Sequence, residues 1–303
     1  MKPMNPPATE SHPRKSADWS GAGSPAATAR SGWCKSIPLL AGILAFAVGT
    51  VDAADRPAGR PLVFVITGES NSGGIGANAA ATPAERAPRP CVQIMNLTDG
   101  RFGFEDLKLG VNNLRDHFRL DGYYATSHGF ENQLANAVEA GAFPGRERVH
   151  LVKTGQGGSK IAEWDPQHAS GYWRKFLQRI DAAKRQLPAN PQWVVWFSLG
   201  INDAIAGTPI VRWKQDTLSH LKRLKEELPG AVIVMTQFQS MKKYGAFDAA
   251  IAEIAANEPG VLTVDSSGAA LGDENHWNYA GLKTVTQRLV ETTAKVLEKK
   301  QAR

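Results

Sequence analysis

Four short stretches of the chain hold residue types that serine-based acyl transfer requires. Gly68-Glu69-Ser70-Asn71-Ser72-Gly73-Gly74 presents one hydroxyl, that of Ser70, on a glycine-bounded turn. A serine hydroxyl is a weak nucleophile until an imidazole takes its proton, and the imidazole needs a carboxylate to fix its tautomer and stabilise its charged form. Asp273-Glu274-Asn275-His276 can supply both, with Asp273 three residues ahead of His276. Attack on a carbonyl drives negative charge onto its oxygen, which backbone N–H groups and uncharged amides stabilise. Gly155-Gln156-Gly157-Gly158-Ser159 offers such N–H groups at a turn, and Gly200-Ile201-Asn202-Asp203 offers the Asn202 amide, a donor without charge. Each stretch also has a plainer reading. Gly-x-Ser is ordinary turn chemistry, Asn-Asp caps helices, and the histidine segment could be a polar loop before the last helix. The Gly155 stretch could be a flexible or phosphate-type loop, but it lacks the Gly-Lys-Ser/Thr ending of a P-loop.

Elements that could position these residues are legible on either side of them. Continuous apolar runs at residues 61–67, 148–153, 193–199, 231–236 and 261–265 read as buried strands, and the first three lead directly into a turn named above. Helical spacing of apolar residues recurs over 129–140, 172–186, 213–228, 246–257 and about 279–299. Strands apolar on both faces and separated by helices predict a parallel sheet covered on two sides. Right-handed crossovers then give a single three-layer α/β/α domain over residues 55–303, with a central parallel sheet of about five strands. Ligands bind beyond the carboxyl ends of strands in such sheets, where the turns should meet. Residues 73–127 read as a loop-rich insertion containing a short strand at 91–96 and a turn at 97–100. Loops of that length in a compact domain are usually functional or packed as lids.

The totals bound the possibilities further. The 303 residues, 42% hydrophobic and 21% charged, suit a globular protein with a sizeable core. A net charge of +6 is scattered without blocks, which argues against nucleic acid as a partner. Residues 1–33 are rich in Pro, Ser, Ala and Gly; the apolar run 37–49 then suits a signal-peptide core rather than a bilayer span. Small residues follow, with spacing that fits cleavage after Ala53. Residues 1–54 are thus expected to be a leader and the domain to be exported, periplasmic or secreted, without stable membrane insertion once the leader is removed. An uncleaved leader would instead leave an N-terminal anchor. Cys34 would leave with the leader, so Cys91 is expected to be a lone thiol. His117, His128, His150, His168 and His220 show no metal-ligand spacing, and neither metal nor cofactor is expected.

Taken together and in order, the four stretches resemble the motif blocks of the SGNH (GDSL-like) hydrolase superfamily, with Ser70, Gly158, Asn202 and His276 at the matching places and Asp273 at the acid. The likeness spans essentially the whole chain after the leader. Gly-Gly-Ser-Lys-Ile-Ala-Glu-Trp at 157–164 and His-Gly-Phe-Glu at 128–131 are similar to the sialate O-acetylesterase and acetylxylan-esterase-like carbohydrate esterases. Glu69 stands where many members carry Asp or Gln, and Gly-Ile-Asn-Asp is the form of the wider GDSL group. The resemblance implies a flavodoxin-like SGNH fold and an esterase in which Ser70, His276 and Asp273 are catalytic. It also implies an oxyanion hole formed by the N–H groups of Ser70 and Gly158 and the Asn202 side chain. An acetylated saccharide or another small ester would be the substrate. A lipase, lysophospholipase or thioesterase on the same scaffold is the rival, as is an O-acetyltransferase; a binding module that has lost catalysis is disfavoured by four intact blocks. Trp164, Trp277, Tyr123 and Tyr124 could stack on a sugar or simply pack, and Glu69 could cap its turn or orient the loop.

Overall fold

A computed structural model describes residues 60–113 and 125–301. The leader, Cys34, His117, Tyr123 and Tyr124 lie outside them. Seven strands form one sheet: β1 (Leu62–Gly68), β2 (Arg89–Thr98), β3 (Arg101–Leu107), β4 (Val149–Lys153), β5 (Gln192–Ser198), β6 (Val232–Thr236) and β7 (Val261–Val264). Their order is β3-β2-β4-β1-β5-β6-β7, parallel throughout except at the β2–β3 pair. The helices are α1 (Phe130–Glu139), α2 (Tyr172–Gln186), α3 (Ile210–Glu227), α4 (Gly245–Asn257) and α5 (Tyr279–Gln301).

Consecutive side chains of a strand point to opposite faces, and β5 shows what covers each. Trp196 meets Phe64 and the Phe130 ring of α1 edge-on, and its indole N–H donates to Thr293 Oγ1 of α5 at 3.1 Å. Its neighbour Phe197 turns the other way and stacks on His220 of α3, which Trp173 of α2 also meets edge-on. Helices therefore lie on both faces, the three-layer arrangement expected. β1 is fully buried at the centre of the sheet, between β4 and β5.

The sheet is two strands wider than the expected five because the short strand read at 91–96 extends over Arg89–Thr98, and the turn after it leads into a second strand, Arg101–Leu107, where loop was expected. Thr98 pairs with Arg101 across Asp99-Gly100, whose φ angles of 50° and 74° are both positive. That is the two-residue turn Asp-Gly favours, and its twist matches the flanking strands. β3 is the edge, with exposed or half-exposed residues along most of its length. Among the described residues no helix is long and apolar enough to cross a membrane. A cavity of about 540 Å³ opens at the amino ends of the strands, where Arg60, Leu62 and Gln192 meet Leu297 and Lys300 of α5.

One ion pair ties β4 to α1 in the interior. Lys153 Nζ donates to Glu131 Oε1 at 2.9 Å and to the Asn113 carbonyl at 2.8 Å, and neither side chain of the pair reaches solvent. Burial pushes the Glu131 carboxyl up, but Lys153, the Asn113 amide and the Gly129 N–H together hold it below the usual carboxylate range. Removing one partner of a buried pair strands the other charge. Lys153→Met is expected to lower unfolding stability at pH 8 by about 3–5 kcal/mol in urea titrations. The loss should shrink toward pH 4, where the stranded Glu131 takes up a proton.

Candidate active site

The site begins where β1 ends. Gly68 has φ +125°, and a Cβ there would fall 2.0 Å from the Ser198 carbonyl oxygen, so only glycine lets β1 and β5 approach this closely. The Glu69 N–H donates to that carbonyl at 2.8 Å, and the chain leaves the sheet as a single helical turn, Ser70–Gly73. Ser72 N–H, Gly73 N–H and Ser72 Oγ all converge on the Glu69 carbonyl. Ser70 sits at the start of this braced turn, 4% exposed.

The histidine arrives on a small hairpin outside the main sheet. Leu271–Asp273 pairs with His276–Trp277 so that Asp273 and His276 face each other across a two-residue turn. Asp273 Oδ1 and Oδ2 lie 2.8 and 2.9 Å from His276 Nδ1, and His276 Nε2 lies 2.8 Å from Ser70 Oγ. Partial burial pushes the Asp273 carboxyl up, but the Asn275 N–H and the imidazole outweigh it and leave the group below its ordinary range.

Asn71, which the sequence did not single out, holds this hairpin. Its Nδ2 donates to the Asn275 carbonyl at 2.8 Å, and its Oδ1 accepts from the Trp277 N–H at 3.3 Å, one bond on either side of His276. Tyr244 OH donates to Asn275 Oδ1, and the Trp277 indole N–H donates to Ser240 Oγ at 2.8 Å. The only signal available beforehand was a buriable amide directly after the candidate nucleophile.

The other two turns close on the same point. Gln156 N–H donates to the Gly68 carbonyl at 2.8 Å, and Gly155 packs so tightly on Ser72 and Gly73 that a Cβ would fall 2.5 Å from Ser72 Oγ. Gly158 is exposed with φ +77° and open space where a Cβ would stand. Among the described residues neither its N–H nor that of Ser70 meets a protein acceptor. The turn after β5 is held by Glu69. Its Oε1 accepts from the N–H groups of Gly200 and Ile201 at 3.2 and 2.9 Å; its Oε2 accepts from the Asn202 N–H at 3.0 Å and from Asn202 Nδ2. So Glu69 orients the asparagine turn. Asp203, pushed up to about 6 by burial, accepts from the Ile161 N–H at 2.9 Å and so binds this turn to the segment after Gly158.

The arrangement unites Ser70, His276 and Asp273 in one hydrogen-bonded line, with Asn202 and Gly158 on turns fastened to the serine turn. A group attacked by Ser70 Oγ would have an imidazole to take the proton and amide N–H groups nearby. Other residues go elsewhere. His128 is buried, its Nδ1 3.0 Å from Asn78 Oδ1 and its ring edge-on to Tyr279. Trp164 and Trp277 are fully buried, and of the stacking and packing readings they take the second. Cys91 is a free thiol, pushed up to about 11 by burial and by Glu139.

Residues 61–295 match the family model described as carbohydrate esterase, sialic acid-specific acetylesterase. The chain belongs to this family. Membership makes the protein a carboxylic ester hydrolase, as the SGNH resemblance implied. A solved structure of an Arabidopsis thaliana protein matches with TM-score 0.61 at 18% identity, covering 78% of this chain and 98% of that one. The structure of NanS matches with TM-score 0.57 at 13% identity, covering 79% and 98%. At these identities the likeness is one of fold. No curated protein sequence matches.

For this esterase the two bonds from Asn71 generate a direct expectation. Asn71→Ala frees the segment that carries His276 without touching the sheet. A misplacement of about 1 Å in a reacting group can cost 10²-fold, and kcat on an aryl acetate should fall by that order. Thermal unfolding should move by only a few degrees.

Proposed function

We propose that this protein removes O-acetyl groups from acetylated carbohydrate through an acetyl-enzyme formed on Ser70. One observation carries the reading: His276 Nε2 stands 2.8 Å from Ser70 Oγ while its Nδ1 meets both oxygens of Asp273. Family membership supports acetylated saccharide as the substrate class. As Ser70 Oγ attacks the acetyl carbonyl, its proton passes to His276 Nε2, and the imidazolium is stabilised by Asp273. The carbonyl oxygen, now negative, is stabilised by the N–H groups of Ser70 and Gly158 and by the Asn202 amide. The C–O bond to the sugar breaks as His276 returns the proton to the leaving hydroxyl. Water, deprotonated by the same imidazole, then attacks the acetyl-enzyme; acetate departs and Ser70 Oγ regains its proton.

Acetate release from O-acetylated sialic acid and from acetylated xylan, beside aryl esters of acetyl, butyryl and octanoyl chains, tests the reading. Acetyl esters should be preferred; faster turnover of octanoyl esters would move the assignment to the lipase class. Ser70→Ala should leave no turnover above background, and Asp273→Asn should lower kcat by about 10⁴-fold. A Ser70→Ala enzyme as active as the parent would end the proposal. Export belongs to the same reading, supported by the apolar run at 37–49 and the small residues after it. Mass spectrometry of the periplasmic or secreted protein should find a chain starting at Ala54.

A further inference from the structure

Leu62 and Phe143 belong to the hydrophobic core, yet both also floor the hollow of about 540 Å³ at the amino ends of the strands. Phe143, on the turn after α1, packs against Phe64 of β1 with ring centroids 5.3 Å apart. Ala142 beside it, and Ala294 and Leu297 of α5, continue the apolar wall. The core is thus left open at this end. A concavity of this size, mostly apolar with a few convergent polar groups, has the character of a small-molecule site.

The rim is cationic. Arg60, Arg146 and Lys300 border the hollow against one carboxylate, that of Glu298. Among the described residues none of these four side chains forms an ion pair. Arg60 donates to the carbonyls of Asn190 and Pro191, and Lys300 to that of Gly230. Burial and the Arg60 charge draw the Lys300 amine below the ordinary lysine range, so like charges feel one another here with no anion between them.

We propose that this hollow binds a single-chain carboxylate of medium length, a fatty acid anion, with its hydrocarbon on Leu62, Phe143 and Leu297 and its head among Arg60, Arg146 and Lys300. Each half of such a ligand answers one observation. A bare anion would leave the apolar floor in water, and an uncharged hydrocarbon would leave three cations without a partner. The acid bound here is a ligand and not a substrate, because the hollow lies at the amino ends of the strands and Ser70 past their carboxyl ends. Its binding is independent of the acetyl chemistry at the other edge.

Isothermal titration calorimetry of the full chain with butyrate, hexanoate, octanoate and decanoate, each below its micellar concentration, tests the site. Affinity should rise about fourfold with each added methylene until the hollow is filled. Decanol, which lacks the charge, should bind about tenfold more weakly than decanoate. Ala142→Trp and Ala294→Trp, which fill the hollow from two different elements, should abolish binding, and Arg146→Gln, which changes little volume, should weaken it severalfold. None of the three should alter turnover of an aryl acetate. Absence of decanoate binding, an affinity independent of chain length, or decanol binding as tightly as decanoate would overturn the proposal. So would undiminished binding in a folded tryptophan variant, which would put the ligand elsewhere. Binding seen only once residues 1–53 are removed would give the hollow to the chain's own leader and overturn it as well.

Discussion

A carboxylate taken out of water must be compensated where it lands, and the fold meets this demand in two different ways. Glu131 is met by the Lys153 ammonium, two opposite charges sealed together beside Asn113. Glu69 is met by the ends of peptide bonds, three in succession, with an amide side chain completing the set. The second solution is the more demanding geometrically, because N–H groups of one turn can converge on a carboxylate only if that turn has one conformation. β1 and β5 are already neighbours in the sheet, and the buried charge extends their registration beyond the last ladder bond into the turns where the chemistry would occur.

From that fixed edge the remaining parts are suspended by increasingly local means. The glycine loop after β4 leans on the serine turn by backbone contact, Gln156 N–H on Gly68 and Gly155 against Ser72. The histidine hairpin has no place in the sheet and depends on side chains: Asn71 from below, Tyr244 and Ser240 from the side. The Asp273 side chain is half exposed, so solvent screens its charge and its hold on the imidazole is chiefly one of orientation. The nucleophile thus sits on a turn braced against the central sheet, and its base on a hairpin outside that sheet.

How much of this can be read in the sequence follows the same gradient. β1, β4, β5 and β6 are continuous apolar runs, and α2 spans the residues its periodicity predicts, because strands and helices in a three-layer fold are defined by local pattern. In the β2–β3 hairpin the first strand and the turn are legible at 91–96 and 97–100, whereas β3 is not, because this exposed edge strand carries Arg, Gly, Glu and Asp among its apolar residues. The four chemical blocks were legible since each pairs a strand end with a distinctive residue. Glu69 and Asn71 were not assignable, as their partners lie 132 and 204 residues away, and nothing local distinguishes a tether from a turn residue. Trp164 and Trp277 show the converse: aromatic residues beside a candidate site whose direction, inward, is decided only by tertiary packing.

Arg60, where the domain chain enters, and Lys300, near its exit, border the same hollow at the amino ends of the strands. Ser70 and its partners stand past the carboxyl ends, on the far side of the sheet. Side chains that line the hollow can therefore be exchanged without entering the esterase edge, and a change of activity on doing so would have to travel the length of the strands.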